Sequence, residues 1–411
     1  MKKYDVIVVG GGPSGMMAAG KAAERGKSVL LLEKNKKTGE KLSITGGGRC
    51  NITNAEYDTH ELLKNYGDAE PFLHSAFSQF GVKETFTFFE KKKLPLVVEA
   101  RNRAFPKSQK APDVTKVMWR YVEKHGVETK VNVRVQKILT EEKKIVGVET
   151  SGGKFYCDNL ILAAGGLSHS ETGSTGDGFS WLKDLGHKVN KPSPDIVPIK
   201  AHDKWPKLIS GVSLSFMKIT FFLDDKRSFS KTGKILFTHF GLSGPLILNC
   251  ANKVQKLLDE GRVTAKIDMY PDTNLGDLNK QVVKVFDANK NKDFKNILGE
   301  VSPKGMSPAL LKLLPPYMDK LKVHSVTVED RKALVNLMKA MPITVSGLMG
   351  YDWAVISDGG IDLKEVDTRT MKSKFHDNLY VTGDLLHISR PSGGFSLQLC
   401  WTTGFVAGSH V

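Results

Sequence analysis

Gly10, Gly12 and Gly15, spaced Gly-x-Gly-x-x-Gly directly after the apolar run Tyr4 to Val9, are the residues whose types and spacing point most directly to chemistry. A short apolar run of this kind reads as a strand that a parallel sheet buries on both faces. Gly10 permits a tight turn, Gly12 lets a pyrophosphate approach the backbone, and Gly15 lets the following helix pack close on the strand. That helix, expected from Pro13 to Arg25, opens with Pro13 and Ser14 and aims unpaired N–H groups and its positive end at phosphate. A second expected strand, Ser28 to Leu32, ends in Glu33, about 20 residues on, where an acid accepts hydrogen bonds from ribose hydroxyls. A glycine-rich turn with no ligand would not require strand, helix and acid in this order. The pattern predicts a dinucleotide site.

One fingerprint of this type serves NAD and FAD alike, so the rest of the chain must discriminate. Thr45-Gly46-Gly47-Gly48-Arg49-Cys50-Asn51 offers backbone N–H groups and a guanidinium to phosphate. Ala164-Gly165, after the apolar run Asn159 to Ala163, allows another close backbone approach. Gly383-Asp384 follows the run Leu379 to Val381, where an acid can hold a ribityl chain or a phosphate-bound water. Gly394, Phe395 and Ser396 open a terminal helix expected to run to about Gly408, and its N-terminus suits negative charge on the N1–C2 carbonyl edge of a reduced isoalloxazine. NAD needs none of these additional approaches, which favours noncovalent FAD. Lys34, Lys41 and Val135 complete the expected cofactor-binding set.

Three polar side chains are candidates for the catalytic step. His239 precedes the turn Gly241 to Pro245 and could shuttle a proton or hold substrate; the alternative is a packing histidine. His387 and Arg390 could bind an anionic substrate group, or could merely close a polar loop. All three are expected to approach the flavin from the domain junction. Cys50 reads as a small packing residue, Asp177 as the cap of the helix after Gly176, and Trp119, Trp181 and Trp401 as core.

The elements that must position these groups come in two kinds. Runs Glu128 to Val133, Val135 to Thr140, Ile145 to Thr150 and Lys154 to Cys157 read as strands beside the parallel sheet, and Pro71 to Gly81, Lys83 to Lys92 and the Val114 to Val122 stretch as helices. Lys191-Pro192-Ser193-Pro194 reads as an extended linker into a β-rich and then helical insert. The first segment lacks a closing strand and helix that the C-terminal segment can supply. The expectation is an α/β chain with a discontinuous Rossmann-type FAD-binding domain, residues 1–193 and 343–411, interrupted by a β-barrel and helical domain over 194–342.

A chain of 411 residues with 25% charged and 40% hydrophobic content is globular and exceeds one ordinary core. Its four cysteines lack metal-ligand or redox-pair spacing, so no metal site and a cytoplasmic location are expected. No apolar stretch reaches membrane-spanning length. The net charge of +16 is read first as a lysine-rich solvated surface, since aromatics do not interleave with the basic runs as in base-stacking sites.

The longer motifs carry a resemblance. Thr45 to Asn54 (TGGGRCNITN), Arg103 to Ala111 (RAFPKSQKA), Thr172 to Gly178 (TGSTGDG) and Phe237 to Pro245 (FTHFGLSGP) are similar to the flavoproteins known as aminoacetone-oxidase-like or BaiN-type NAD(P)/FAD-dependent oxidoreductases. These segments lie between residues 45 and 245, and the resemblance is taken to extend over essentially the full length. The resemblance implies that family's fold, an FAD-binding Rossmann-type domain interrupted by a β-barrel and helical insert. The C-terminal segment departs from it: family members usually read Gly-Glu, an Asp-centred stretch and Gly-Gly-Tyr-Asn, where this chain has Gly383-Asp384, His387, Arg390-Pro391 and Gly393-Gly394-Phe395-Ser396. The expected function is hydride transfer at flavin N5 on a small-molecule substrate, with dioxygen or transient NAD(P)H as the other redox partner. The alternative class is an FAD-containing RNA-modifying or RNA-binding protein, suggested by the positive charge.

Overall fold

The computed structural model describes residues 2–411. The chain divides into two compact units, residues 1–194 with 354–411, and residues 195–353, each with its own apolar core.

The first unit begins with β1 (Lys3–Val9), α1 (Pro13–Glu24) and β2 (Val29–Leu32). β1 and β2 are almost wholly buried because helices and loops cover both faces of a parallel sheet. The polar stretch after Glu33, read as loop, contains the short α2 (Glu40–Ile44) before β3 (Thr53–Asn54). Next come α3 (Thr59–Leu63), α4 (Glu70–Gln79), α5 (Val82–Lys91), β4 (Leu96–Glu99), β5 (Arg103–Pro106) and α6 (Ala111–Lys124). In α6, Val114, Val117, Met118, Tyr121 and Val122 recur at helical spacing and are buried. Trp119, expected in the core, is 38% exposed because it falls off that stripe; Trp181 and Trp401 are buried.

β6 (Glu128–Lys130), β7 (Val135–Glu141), β8 (Lys144–Thr150) and β9 (Gly153–Leu162) continue the sheet. The two runs expected around Cys157 and Leu160 are one strand, whose first half pairs with β8 and whose second half pairs with β1. α7 (Asp177–Asp184) leads to β10 (Val189–Asp195). The segment read as a linker is thus a strand.

The second unit is a closed six-stranded barrel of β11 (Ile199–Ala201), β12 (Ser213–Leu223), β13 (Lys226–Thr238), β14 (Gly241–Ser243), β15 (Val263–Asp268) and β16 (Met341–Leu348). β13, long and rich in Lys and Ser, carries too little alternation to be read as a strand, yet it pairs with β12 along its length. α8 (Pro245–Leu248), α9 (Ala251–Glu260), α10 (Leu275–Ala288), α11 (Phe294–Val301), α12 (Ser307–Leu313) and α13 (Val328–Lys339) complete the unit. Thr327 and Asp330 cap α13 reciprocally, Thr327 Oγ1 accepting from Asp330 N at 3.1 Å and Asp330 Oδ2 from Thr327 N at 3.0 Å. The expected return at residue 343 is corrected: β16 spans that point and closes the barrel against β11 and β15.

The chain re-enters the first unit with β17 (Ile356–Ile361), β18 (Leu379–Val381) and α14 (Phe395–His410). β17 pairs with β10, and β18 adds to the main sheet beside β9, in parallel. α14 is apolar on nearly all sides and buried. Gly404 and Gly408, one turn apart, leave room for the backbone of α1: a Cβ at either would overlap the carbonyl oxygens of Ser14 and Ala18. Among the described residues no helix is long and apolar enough to cross a membrane.

Candidate dinucleotide site

β1, β9 and β18 are adjacent and parallel, so Val9, Leu162 and Val381 end on one edge of the sheet, the edge where open α/β sheets bind ligands. The glycines there differ in their reasons. Gly10 has φ +106° and a Cβ there would overlap the Ala163 carbonyl; a Cβ at Gly15 would overlap the Gly10 carbonyl. Both are required by the fold itself. Gly12 has φ −76° and ψ −174°, open to any residue, and a Cβ on it would meet nothing within 4 Å. Its missing side chain leaves an open approach to the backbone at the start of α1, whose first-turn N–H groups have no intrahelical acceptor. That is the fit a pyrophosphate needs.

Glu33 is buried and pre-set. Its Oε2 accepts from Gly11 N and its Oε1 from Asn35 N, both at 2.8 Å, so the carboxylate is fixed by two backbone donors and each oxygen retains a lone pair for a ribose hydroxyl. Gly383, at φ +62°, donates its N–H to Thr403 Oγ1 at 3.0 Å, and a Cβ on it would lie 2.9 Å from Ser14 Oγ. The structure thereby brings Gly383-Asp384 against the first turn of α1. Gly165, with φ +73°, and Ala164 follow directly on β9. Val135 starts β7 and is buried opposite Thr150.

Gly46, Gly47 and Gly48 all lie at positive φ, and Cys50 at +62°, so the segment folds back on itself, with Cys50 N donating to Thr45 O at 3.0 Å. It then docks on the start of α14. Gly394, at φ +104°, packs so closely on Thr53 and Asn54 that a Cβ would overlap their backbone. With its amide turned to satisfy both neighbours, Asn51 accepts from Gly394 N at 3.0 Å and donates to Thr53 O at 3.1 Å. Asn54 Nδ2 donates to Gly393 O at 3.2 Å, and Thr53 Oγ1 to Gln398 Oε1 at 2.6 Å. The buried Gln398 also donates from Nε2 to Thr402 Oγ1 at 3.0 Å, and Tyr66 OH donates to Phe395 O at 2.9 Å. Of these, Asn51 was expected beside the cofactor, whereas Thr53, Asn54, Tyr66, Gln398 and Thr402 escaped the sequence as positioning residues. A lone glutamine inside the apolar terminal helix was the signal that could have found them, because a buried amide demands partners.

Several expected ligand groups are engaged within the protein. The guanidinium of Arg49 pairs with Glu99, donates from Nε to Gln109 Oε1 at 2.6 Å and lies 4.1 Å from the centroid of the Phe105 ring. Lys34 pairs with Asp177 at 2.9 Å, and Asp177 is the first residue of α7, with Gly176 and not Asp177 at the cap. Arg390, expected to meet an anionic substrate, is buried: it pairs with Asp384, donates from Nε to Ser396 Oγ at 3.1 Å and from Nη1 to Ile388 O at 2.7 Å. Burial disfavours its charge, but its neighbours, Asp384 foremost, raise its pKa overall. The structure therefore uses Arg390 to tie the loop before α14 to the helix start. Lys41 Nζ donates to Ser168 Oγ at 3.0 Å; burial lowers its pKa, opposed by the charge of Asp384. Burial pushes the Cys50 thiol up to about 12, which leaves it protonated and inert. His387, with its side chain 41% exposed, has Nε2 3.6 Å from Asp358 Oδ1. His239 belongs to the barrel unit, where it is exposed and its ring meets Phe240 edge-on.

The family model for the HI0933-like protein Rossmann domain matches residues 4–410. The chain belongs to this HI0933-like family. Among its relatives, the 3-dehydro-bile acid delta(4,6)-reductase of Clostridium scindens is 29% identical over 409 residues, 98% of this chain and 97% of that protein. The ribosomal RNA dihydrouridine synthase of Haemophilus influenzae is 27% identical over 431 residues, 98% of each chain. Among solved structures, the 3-ketosteroid-delta4-(5alpha)-dehydrogenase of Rhodococcus jostii superposes with a TM-score of 0.54 at 13% identity, over 99% of this chain and 96% of that one. The 3-ketosteroid delta1-dehydrogenase of Sterolibacterium denitrificans gives 0.54 at 14%, over 100% and 99%. These structural likenesses agree with the discontinuous Rossmann-type fold of the HI0933-like family member described above.

Proposed function

We propose that this oxidoreductase holds FAD noncovalently and reduces a carbon–carbon double bond conjugated to a carbonyl in a small-molecule substrate. The observation that carries the reading is the pairing of Gly12, whose glycine neither its backbone angles nor its neighbours require, with Glu33, whose carboxylate is pre-set by Gly11 N and Asn35 N. The names of two relatives support the reaction type, since a delta(4,6)-reductase and a dihydrouridine synthase both denote saturation of such a bond.

When bound, FAD supplies the hydride at N5. The first turn of α1 would hold the pyrophosphate with its N–H groups, and Glu33 would accept from the ribose. The start of α14, fixed by Thr53, Asn54 and Gln398, would offer the positive end of a 16-residue helix to negative charge on a bound flavin. The Asp384–Arg390 pair keeps the loop before α14 closed and adds no net charge. His387, whose Nε2 lies 3.6 Å from Asp358 Oδ1, would deliver a proton to the substrate carbon beside the carbonyl; His239 is the second candidate for that step. With a single glycine fingerprint, NAD(P)H visits transiently as donor. The enzyme works in the cytoplasm.

Acid precipitation should release FAD into the supernatant; flavin retained in the pellet refutes noncovalent attachment. Anaerobic stopped-flow reduction by NADH and NADPH, followed by mixing with conjugated enones, should show donor-dependent bleaching and enone-dependent recovery. Recovery with dioxygen alone would instead make the enzyme an oxidase. His239→Ala and His387→Ala should keep FAD and its spectrum and slow recovery, and unchanged recovery in both removes the histidine assignment.

A second reading, reduction of a pyrimidine within RNA, is favoured by the net charge of +16 and by the rRNA dihydrouridine synthase relatives. It requires RNA affinity that falls steeply with salt. Loss of binding at physiological salt excludes it.

A further inference from the structure

We propose that His60, Glu70 and His74 form a binding site for a divalent transition-metal ion such as Zn2+, which clips two helices of the first unit together. Glu70 and His74 stand four residues apart on α4 and so share a face, and His60 reaches them from α3. Glu70 Oε1 lies 3.6 Å from His60 Nδ1 and 3.9 Å from His74 Nε2. One ligand atom from each residue falls within 4.8 Å of the others. Both carboxylate–imidazole separations are too long for hydrogen bonds. Metal–ligand bonds of about 2.0–2.2 Å in a tetrahedral site set ligand atoms roughly 3.3–3.6 Å apart. Closing the present gaps needs only small side-chain rotations, and the histidine side chains, 68% and 49% exposed, are free to make them.

The donor set selects the metal. Two imidazole nitrogens and one carboxylate oxygen suit Zn2+, Ni2+ or Cu2+ better than Ca2+ or Mg2+, and three protein ligands leave a position for water. The supporting backbone is in place: Asp58 Oδ1 caps α3 by accepting from His60 N at 2.9 Å and Glu61 N at 3.2 Å. Lys64, the cation nearest in sequence, pairs with Glu61 at 2.6 Å. Between α3 and α4 the chain breaks at Gly67, with φ 53° and ψ −127°, and this turn carries the buried Tyr66 that donates to Phe395 O at the start of α14. A metal bridging His60 to Glu70 and His74 spans that break, and stiffens the turn that supports the terminal helix. The inference stands independently of the proposed cofactor.

The test uses the full chain stripped with a chelator and titrated with Co2+, read by its visible d–d absorption, and with Zn2+, read by calorimetry. One ion per chain is expected, with a rise in the thermal midpoint. His60→Ala and His74→Ala, both at exposed side chains, should each weaken binding by about tenfold to hundredfold or more and abolish the rise. Wild type that fails to saturate at millimolar metal, or variants that bind Co2+ as wild type does, overturns the site.

Discussion

Alanine at Gly12 and at Gly15 should separate a glycine kept for a ligand from one kept for the fold. At Gly12 the backbone angles suit any residue and a Cβ meets nothing within 4 Å. Gly12 is the N-cap of α1 without a side-chain cap bond, so alanine there costs up to about 1 kcal/mol of capping, offset by about 0.4–1 kcal/mol from the stiffer unfolded chain. The apoprotein should unfold within about 1 kcal/mol of wild type. The new methyl group occupies the approach to the first-turn N–H groups, and each charge-assisted bond lost to a pyrophosphate costs about 1.5–3 kcal/mol, roughly 12- to 150-fold in affinity. At Gly15 a Cβ overlaps the Gly10 carbonyl, so α1 or the turn must shift. That places Gly15→Ala among severe core substitutions, above about 4 kcal/mol. Urea unfolding of the apoproteins and FAD titration by flavin fluorescence measure the two quantities separately. Gly12→Ala with wild-type FAD affinity would refute a pyrophosphate over that backbone, and a Gly12→Ala protein that fails to fold would show its glycine to be structural.

Glu33→Ala removes the acceptor for Gly11 N and Asn35 N along with the expected ribose contact; FAD affinity should fall by about 1.5–3 kcal/mol in titration while the fold persists, and unchanged affinity would take the acid away from the ribose. Asp384→Ala leaves the buried Arg390 uncompensated and should lose about 3–5 kcal/mol in urea unfolding; Arg390→Ala leaves only the partly buried Asp384, which Lys41 also faces, and should lose less, and the double variant should lose less than the sum of the two. His187, buried with Nδ1 2.9 Å from Glu365 Oε2 and Nε2 2.9 Å from Ser373 Oγ, has its pKa lowered from 6.5 by burial against the pull of Glu365, with His376 adding to the lowering. The unfolded state then binds the proton more readily, so stability is full above about 6.5 and falls as pH drops below it. Urea midpoints at pH 7.5 and 5.5 should show the decline, and His187→Gln should flatten it.

The sequence by itself determined the start of the first unit. Strand, glycine turn, helix and acid are contiguous within 33 residues, and they fold as local rules of backbone freedom and helix ends require. The apolar stripe of α6 and the terminal helix were legible for the same reason. Tertiary structure alone decided which polar groups face outward. Arg49, Lys34 and Arg390 carry side chains suited to anions, yet each is engaged by an acid far away or across a turn: Glu99, Asp177 and Asp384. No spacing rule announces such pairs, because a buried guanidinium is satisfied by whatever carboxylate the fold delivers. Pairing across the barrel likewise placed β16 in the second unit and made strands of the polar β13 and of the proline-bearing β10. A strand is stabilised by neighbours distant in sequence, so its own residues need not declare it. The His60, Glu70 and His74 cluster arose in the same way, from a helix break at Gly67 that folds α3 back on α4.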